Sequence, residues 1–319
     1  MTNYAGRIRW WDLSRLPARG GSGKQPLVTA KIIDGVSIAR SVRVGIRARA
    51  QALIDAHGVR PGLAVIMAGD NPASAVYVRN KVRACGEVGI HSEVLRFAAT
   101  VSEDQLLDCI RRLNEDPAIH GILVQLPLPP HLPVRRILET ISVDKDVDGF
   151  HLYNVGGLVL GDTVFPPCTP YGVHKILEHE GIELEGKNVT VVGASNVVGK
   201  PMALMLMQRE ATVAICHAKT RDLAQYTILA DILVVAAGQP NLIVPQMIRT
   251  GAVVIDVGIN RLANGKLVGD VDFEGVRQKA SHLTPVPGGV GPMTVTMLLD
   301  NTVSAAERAV KQRGATVYS

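Results

Sequence analysis

The sequence predicts an α/β protein of two domains, each built around a parallel sheet. The chain has 319 residues, more than a single hydrophobic core commonly organises. Short apolar runs alternate with segments of helical spacing, which is the pattern of βα repeats. Aromatic residues make up 4% of the chain and hydrophobic residues 47%, which fits buried parallel strands rich in Val and Ile.

The first domain is assigned to residues 27–150. Its predicted helices cover residues 38–56, 74–86, 102–114 and 134–140. Its predicted strands cover residues 63–67, 90–97 and 119–126. Ser102 is a suitable N-cap for the third helix. This alternation predicts a parallel sheet with helices on its faces.

The second domain is assigned to residues 151–292. Residues 144–149 and 153–157 are polar and contain glycine, and we interpret them as the bridge between the domains. Predicted strands cover residues 189–192, 211–216, 232–237 and 252–257, and helices cover 171–181 and a stretch opening at Pro201. The glycine-rich stretch 281–292 leads to a last helix over residues 293–311. We expect this C-terminal segment, 293–319, to return and complete the first domain.

The segment VTVVGASNVVGKP, residues 189–201, is the strongest local motif. A strand, a turn of small residues and a helix N-terminus together form a binding site for phosphate on free backbone N–H groups. The residues expected to bind a cofactor here are Gly193, Ala194, Ser195, Val198 and Gly199. The motif is one residue longer than the usual G-x-G-x-x-G, so a βα turn without a ligand is the alternative. The cofactor interpretation makes the second domain a Rossmann-like dinucleotide-binding domain, with a cleft between it and the first.

The end of the next strand bears on the choice of cofactor. An NAD site has an acid about 20 residues after the first glycine, to bind the ribose hydroxyls. No acid occurs here before Asp222. His217, Lys219 and Thr220 are better suited to a 2′-phosphate, which favours NADP, although Lys219 could equally be a solvated surface charge.

Charge and apolar patterning limit the classes of partner. The net charge of +5 comes mostly from residues 1–24, which contain five basic residues and one acid. No basic stripe with aromatic residues follows, so a nucleic-acid partner is not expected. The apolar runs are too short to span a bilayer, and no membrane association is expected. Cys85, Cys109, Cys168 and Cys216 show no metal or redox spacing, which indicates reduced thiols.

Residues 1–26 are rich in arginine and poor in acids, and they lack hydrophobic periodicity. We interpret them as an unstructured leader, as a cloning extension or as the product of a mis-assigned start. A cytoplasmic protein is expected. A mitochondrial or plastid location is the alternative if this leader is a transit peptide.

Three features outside the turn could carry chemistry. Tyr77 and Lys81 are four residues apart and share a helix face, so the amine could transfer protons in a cleft. Gln125 ends a buried strand, at the sheet edge where ligands bind in open α/β folds. Asp148 follows Asp144 and Asp146 without the spacing of a metal loop, so we expect no metal, and Asp148 could bind a donor-rich heterocycle.

Each of these features also has a purely structural interpretation. Lys81 could be an exposed lysine beside a core tyrosine, and Gln125 a satisfied amide at a strand end. The acids could form a solvated loop. Residues 287–292, PGGVGP, could bring the backbone close to a ligand or only make a tight turn into the last helix.

Taken together, the motifs resemble those of the bifunctional methylenetetrahydrofolate dehydrogenase/cyclohydrolases. The matching segments, in the order of that family, are KIIDG at 31–35, YVRNK at 77–81, QLPLP at 125–129, KDVDGF at 145–150, PCTP at 167–170, VGASNVVGKP at 192–201, DVGIN at 256–260 and TPVPGGVGPMT at 284–294. The resemblance covers about residues 29 to 305. So many long motifs in one order make it highly specific.

The resemblance implies an enzyme that oxidises 5,10-methylenetetrahydrofolate with NADP and hydrolyses the product to 10-formyltetrahydrofolate. It implies that Lys81 is catalytic, with Gln125 beside it, Tyr77 stacked on the folate and Asp148 on the pterin. It also implies a homodimer paired through the cofactor domain. The other implied contacts are Ile259 with the nicotinamide, and Leu126, Pro287, Gly288 and Gly289 with the substrate.

The chain departs from the family pattern at two positions, and two alternative functions remain. Ala194 and Ala218 stand where many family members have Arg or Ser, which leaves fewer direct contacts to a 2′-phosphate. A shikimate-type dehydrogenase would also couple a small α/β domain to a Rossmann-like one, but it predicts that Lys81 pairs with a carboxylate. A nucleotide-sensing module without turnover predicts that this lysine is missing.

Overall fold

The structure, a computed structural model, describes residues 29–316, so the predicted leader over residues 1–26 lies outside the described residues. The helices are α1 (Gly35–His57), α2 (Pro72–Val88), α3 (Glu103–Glu115), α4 (Val134–Thr140), α5 (Leu152–Leu160), α6 (Cys168–His179), α7 (Gly199–Met207), α8 (Ala224–Thr227), α9 (Phe273–Arg277) and α10 (Val290–Thr316). The strands are β1 (Lys31–Ile32), β2 (Gly62–Ala68), β3 (His91–Phe97), β4 (Gly121–Val124), β5 (Asn188–Val192), β6 (Thr212–Cys216), β7 (Ile232–Val235), β8 (Val253–Asp256), β9 (Asn260–Arg261), β10 (Leu267–Val268) and β11 (His282–Leu283). Every helix and strand predicted above is present, and the predicted α/β class is confirmed. Among the described residues, no helix combines the length and apolar character needed to cross a bilayer.

The first lobe is a three-stranded parallel sheet in the order β3–β2–β4. All seven residues of the central strand β2 are buried. Leu63 and Val65 belong to the cluster with α1, α2 and α10, while Ala64 and Ile66 belong to the cluster with α3 and α4. Alternate residues therefore point into two helical layers, as the period of a strand requires. Because both faces are covered, the carboxyl edge of the sheet is left as the place for a ligand.

The second lobe is a six-stranded sheet in the order β1–β11–β8–β7–β5–β6, and every neighbouring pair is parallel. Its first strand needs a correction to the predicted division at residue 27. Lys31 and Ile32 pair with His282 and Leu283, so β1 belongs to this sheet and not to that of the first lobe. Two residues are too few to show a hydrophobic period, so this pairing could not be predicted from local patterning.

The predicted bridge between the domains includes a helix, because residues 153–157 lie in α5. The carboxylate of Asp146 accepts N–H groups from His151 at 2.8 Å and from the Asn154 side chain at 2.7 Å. The Nδ1 atom of His151 in turn accepts the N–H of Tyr153. These capping contacts satisfy the free donors of the first turn. The capping contacts offset the free-energy cost of having glycines in this short helix.

The last helix, α10, starts at Val290 and not at residue 293. Pro292 is compatible with its first turn, where an N–H group has no acceptor inside the helix. The helix packs against α1 and α2 of the first lobe and against α6, which leads into the second. Near its middle, Asn301 Nδ2 donates to the carbonyl of Val147 at 2.9 Å and to that of Pro166 at 3.0 Å. The expected return of the C-terminal segment to the first lobe is therefore present.

Three helix ends are capped by specific residues, among them the predicted N-cap Ser102. Ser102 caps α3 in a reciprocal capping box with Gln105. Asp34 caps α1 by accepting the N–H groups of Val36 and Ser37, each at 3.0 Å. Gly58 ends α1 in the left-handed conformation. Both helices are thus fixed at the ends nearest the loops that carry the site.

Candidate active site

Lys81 and Gln125 meet where helix α2 passes the carboxyl edge of the first sheet. Lys81 lies one helical turn after Tyr77, and Gln125 follows the last residue of β4. The Lys81 ammonium donates to Gln125 Oε1 at 3.1 Å. The Gln125 amide is held in turn by donation from Nε2 to the carbonyl of Leu126 at 2.8 Å. Lys81 and Gln125 are both half-buried, so their pairing is not an incidental surface contact.

The three acids of the loop after α4 have separate environments. Asp144 is exposed and lies 3.8 Å from Arg308, and Asp146 is buried as the capping group of α5. Asp148 is the one that lies near Lys81. Burial raises the pKa of its carboxyl, while the nearby Lys81 ammonium and a hydrogen bond from Cys168 oppose that shift. Lys81 thus lies between an amide and a carboxyl group.

A groove of about 1030 Å³ runs between the first lobe, the end of β8 and the loop 285–292. Tyr77, Ile259, Pro287, Gly288 and Gly289 line it, whereas Lys81, Gln125, Leu126 and Asp148 are not among its lining residues. Burial raises the pKa of the Tyr77 phenol, which keeps the ring neutral.

The loop is held against helix α1 by a very close contact. A Cβ atom added to Gly35 would lie 1.8 Å from the carbonyl oxygen of Gly289. Gly288 has a φ of +104°, which a side chain would disfavour. These glycines therefore allow the loop to approach α1 closely, and its approach to a ligand stays a prediction.

The turn after β5 has the geometry predicted for a phosphate site. Gly193 has a φ of +114°, and a Cβ atom at Gly199 would lie 1.9 Å from the carbonyl oxygen of Gly193. Ser195 Oγ accepts the N–H groups of Val198 at 3.1 Å and of Gly199 at 3.4 Å. The hydroxyl proton of Ser195 is left to donate outward. Ala194 places no long side chain over the start of α7, so this N-terminus can accept an anion.

The loop after β6 lies beside this turn, because β5 and β6 are parallel neighbours with Val192 opposite Cys216. The loop is closed on itself: the N–H of His217 donates to Thr220 Oγ1 at 2.9 Å, and His217 Nδ1 accepts the N–H of Lys219 at 3.1 Å. Lys219 is exposed and pairs with no acid among residues 29–316. The backbone of this loop is thus closed, and its lysine is exposed next to the turn after β5.

A buried pair of carboxylates behind Ile259 was missed by the sequence interpretation. Asp256 accepts the N–H groups of Gly258, Asp270 and Val271, each at 3.0 Å. Burial raises its pKa to about 6. Asp270 accepts the N–H of Ala237 at 2.6 Å, that of Gly238 at 2.9 Å and the Asn260 amide at 2.8 Å.

These acids fix the two loops between which Ile259 projects into the groove. The available signal in the sequence was the pairing of each acid with a glycine. A Cβ atom at Gly258 would lie 2.2 Å from the Asp270 carboxyl carbon, and one at Gly269 would lie 1.8 Å from Asp256 Oδ2. Two glycines that leave room for two carboxylates indicate a buried hydrogen-bond network. The groups that each carboxylate contacts cannot be predicted from sequence spacing alone.

Family comparisons agree with this geometry. The profile of the tetrahydrofolate dehydrogenase/cyclohydrolase catalytic domain matches residues 33–148, and that of the NAD(P)-binding domain of the same family matches residues 167–310. The bifunctional protein FolD of Nitrosospira multiformis is 60% identical over 282 residues, which cover 88% of this chain and 98% of the relative. The corresponding protein of Paracidovorax citrulli is 56% identical over 282 residues, or 88% of this chain and 99% of the relative.

Solved structures give the same result. The bifunctional methylenetetrahydrofolate dehydrogenase/cyclohydrolase FolD of Campylobacter jejuni is 51% identical and superposes with a TM-score of 0.86, covering 88% of this chain and 99% of its own. The Trypanosoma brucei enzyme, complexed with NADP cofactor and an inhibitor, is 39% identical with a TM-score of 0.86, covering 88% and 98%. The two-lobed fold and the resemblance found in the motifs are confirmed: the chain belongs to the tetrahydrofolate dehydrogenase/cyclohydrolase family.

Proposed function

We propose that Lys81, Gln125 and Asp148 form the reactive centre of both activities of this family. The enzyme oxidises 5,10-methylenetetrahydrofolate to 5,10-methenyltetrahydrofolate with NADP, and then hydrolyses that product to 10-formyltetrahydrofolate. The 3.1 Å hydrogen bond between Lys81 Nζ and Gln125 Oε1, beside the half-buried Asp148, is the observation that carries the residue assignment. The family match, and not this contact, decides against the shikimate-type alternative, because the Asp148 carboxyl also lies near Lys81.

The residues have distinct tasks in the two steps. Asp148 accepts N–H groups of the pterin and so orients the ring, while the Tyr77 ring stacks on the folate. NADP supplies the acceptor for the hydride that leaves the methylene carbon. Water then adds to the methenyl carbon, and a C–N bond breaks to leave the formyl group. Lys81, held by Gln125, lies where its amine group can transfer protons as the water adds and the C–N bond breaks, and one proton is released overall.

The cofactor residues follow from the two adjoining loops. Gly193, Ala194, Ser195, Val198 and Gly199 bind the pyrophosphate on backbone N–H groups and the Ser195 hydroxyl. The other contacts are His217, Lys219 and Thr220 with the 2′-phosphate, Ile259 with the nicotinamide, and Leu126, Pro287, Gly288 and Gly289 with the substrate. The unpaired ammonium of Lys219 favours NADP over NAD, because it would gain a charge-assisted contact only with the phosphorylated cofactor.

The assignment is tested with Lys81→Gln, which removes the transferable proton but keeps a polar side chain. We expect the cyclohydrolase rate to fall by at least about a hundredfold. The Kd for NADP, measured by calorimetry, should not change. Lys311→Gln, at an exposed position of α10, is the matched control. Unchanged formation of 10-formyltetrahydrofolate by Lys81→Gln would contradict the assignment.

We also propose that the protein is a homodimer joined through the second lobe. Strand β6 is an edge of the six-stranded sheet, and α7 contacts both β6 and α5. Large apolar side chains are exposed on these three elements, namely Leu160 at 85%, Val159 at 68%, Tyr153 at 61%, Met207 at 56% and Ile215 at 43%. A contiguous apolar surface beside an open strand edge is typical of a protein interface.

Light scattering of the purified protein tests the dimer. The wild-type mass should be twice that of the chain, and Leu160→Asp combined with Ile215→Lys should halve it. Val134→Asp, which places a charge on an exposed apolar position of α4 in the other lobe, is the control and should leave the mass unchanged. A monomeric wild-type protein at micromolar concentration would refute this proposal.

We place the enzyme in the cytoplasm, because the bacterial relatives named above share its two domains. Import into an organelle would require that residues 1–26 direct it. Subcellular fractionation of cells making the tagged chain separates the two locations.

A further inference from the structure

A buried asparagine in helix α10 has side-chain partners in distant parts of the chain. Asn301 is 3% exposed, and its Nδ2 atom donates to the carbonyls of Val147 at 2.9 Å and Pro166 at 3.0 Å. The same atom lies 3.8 Å from Cys168 Sγ. A leucine would fill this position of the core without the cost of desolvating an amide. The two carbonyl contacts therefore explain why an amide stands here.

Both of these carbonyls lie outside regular structure. Val147 is in the loop between α4 and α5, and Pro166 precedes the first residue of α6. Neither carbonyl can therefore take part in a helix or strand ladder, and an unpaired carbonyl in the protein interior is costly. The Asn301 amide satisfies both groups and joins the two segments at one point.

Asp148 lies between two backbone positions that these contacts hold. Val147 precedes it directly and is bound by Asn301. Gly149 follows it with a φ of +77°, and a Cβ atom there would lie 2.7 Å from the carbonyl oxygen of Phe165, the residue before Pro166. The neighbours of Asp148 on both sides are thus packed against the same segment, which limits how far its carboxyl can move.

The thiol of Cys168 gives Asn301 a second route to Asp148. Cys168 Sγ lies 3.3 Å from the carbonyl oxygen of Val147. Burial raises the pKa of the Asp148 carboxyl, and a hydrogen bond from the same thiol opposes that rise. A thiol has one proton, so the carbonyl and the carboxyl compete for it. Because Asn301 already donates to the carbonyl, the thiol proton is available to Asp148.

We propose that Asn301 is a positioning residue for the folate, which holds Asp148 beside Lys81 by tying residues 147 and 166 to helix α10. The inference rests on the proposed function, in which Asp148 orients the pterin. Both reactions use the same folate site, so loss of the amide should slow the dehydrogenase and the cyclohydrolase alike. The partners of Asn301 lie outside the turn at residues 193–199, so NADP binding should not depend on it.

The test uses Asn301→Ala and Asn301→Asp in the full chain. The alanine variant should lower kcat/KM for 5,10-methylenetetrahydrofolate at least about tenfold, the effect of losing one hydrogen bond to a charged acceptor. The aspartate variant should lose more, because its carboxylate would face two carbonyl oxygens without a proton to donate. The Kd for NADP, measured by calorimetry, should not change and verifies that each variant is folded. If the aspartate variant does not bind NADP, the alanine variant decides.

Thr302→Val is the matched control on the same helix. Thr302 is fully buried, and its hydroxyl donates to the carbonyl of Leu298 at 2.7 Å, within α10 itself. Valine has a similar size and loses only this hydrogen bond. We expect its kcat/KM to stay near the wild-type value even if Tm falls, which separates a general loss of stability from a displaced Asp148.

A double-mutant cycle with Asp148→Ala identifies the group through which Asn301 acts. In the Asp148→Ala background, Asn301→Ala should change kcat/KM by less than about twofold, because the carboxyl that it positions is gone. Losses that multiply would overturn the inference. Wild-type kcat/KM in Asn301→Ala, or loss of NADP binding by that variant, would overturn it too. Wild-type kcat/KM in Asp148→Ala alone would instead refute the role of Asp148 in the proposed function.

Discussion

Asp270 provides a strict test of how the second lobe holds the nicotinamide side of the groove. Its side chain is fully buried and accepts three hydrogen bonds, from Ala237, Gly238 and Asn260. Removing one partner of a buried charged network costs about 3–5 kcal/mol. Ala237 and Gly238 are exposed residues whose N–H groups can bind water instead, so Asp270→Ala should cost about 3 kcal/mol, at the low end of that range.

The substitution Asp270→Asn should be much milder. Its carbonyl oxygen can still accept the two backbone N–H groups, and its amino group can donate to Asn260 once that amide rotates. The rotation sacrifices the 3.2 Å hydrogen bond from Asn260 to the carbonyl of Gly269. One such neutral hydrogen bond is worth about 1 kcal/mol. The expected order of stability is therefore wild type, then Asn, then Ala.

Thermal unfolding and steady-state kinetics measure both consequences. At about 2–4 °C per kcal/mol, Asp270→Ala should lower Tm by about 6–12 °C. It should also raise the KM for NADP, because both loops beside Ile259 lose their common anchor. Asp272→Ala, which removes only the capping acid of α9, is the control and should leave that KM unchanged. A wild-type KM and Tm in Asp270→Ala would refute the reasoning.

Three further predictions concern other parts of the chain. Gly199→Ala forces a Cβ atom to 1.9 Å from the carbonyl oxygen of Gly193, so calorimetry should show a large loss of NADP affinity, and unchanged binding would argue against the turn as the phosphate site. Lys219→Ala should weaken NADP binding several-fold but leave NAD binding as it is, and an equal loss for both would contradict a contact with the 2′-phosphate. Burial lowers the pKa of His120 from 6.5 to about 4, so the folded state loses up to about 3 kcal/mol as the pH falls from about 6.5 to 4. His120→Asn keeps an acceptor for the N–H of Gly62 and should flatten that loss in denaturant unfolding at pH 7 and 5, whereas an equal loss in both proteins would exclude His120 as its source.

Local chemistry explains why much of the fold could be predicted. Strands β2, β4 and β7 are continuous apolar runs, and the glycines at residues 193 and 199 occupy positions that only glycine tolerates. Ser102 capped its helix as expected because a cap depends on residues three apart. Lys81 and Gln125 meet at positions that could be predicted, because Lys81 lies on a regular helix and Gln125 at the end of a regular strand.

The features that were missed depend on contacts distant in sequence. The strand at residues 31–32 is defined only by its partner some 250 residues later. The polar segment that became α5 needed Asp146 as a capping group from outside the helix. The Asp256 and Asp270 network joins residues from separate loops, and the short hairpin of β9 and β10 has no periodicity of its own. Tertiary partners therefore decide these regions more than local preference does.

Helix α10 links the assembly of the site to the direction of protein synthesis. Through Asn301 it holds the carbonyl that precedes Asp148, yet it is made after all of the other elements described here. A nascent chain on the ribosome therefore lacks this support for Asp148 until α10 has emerged.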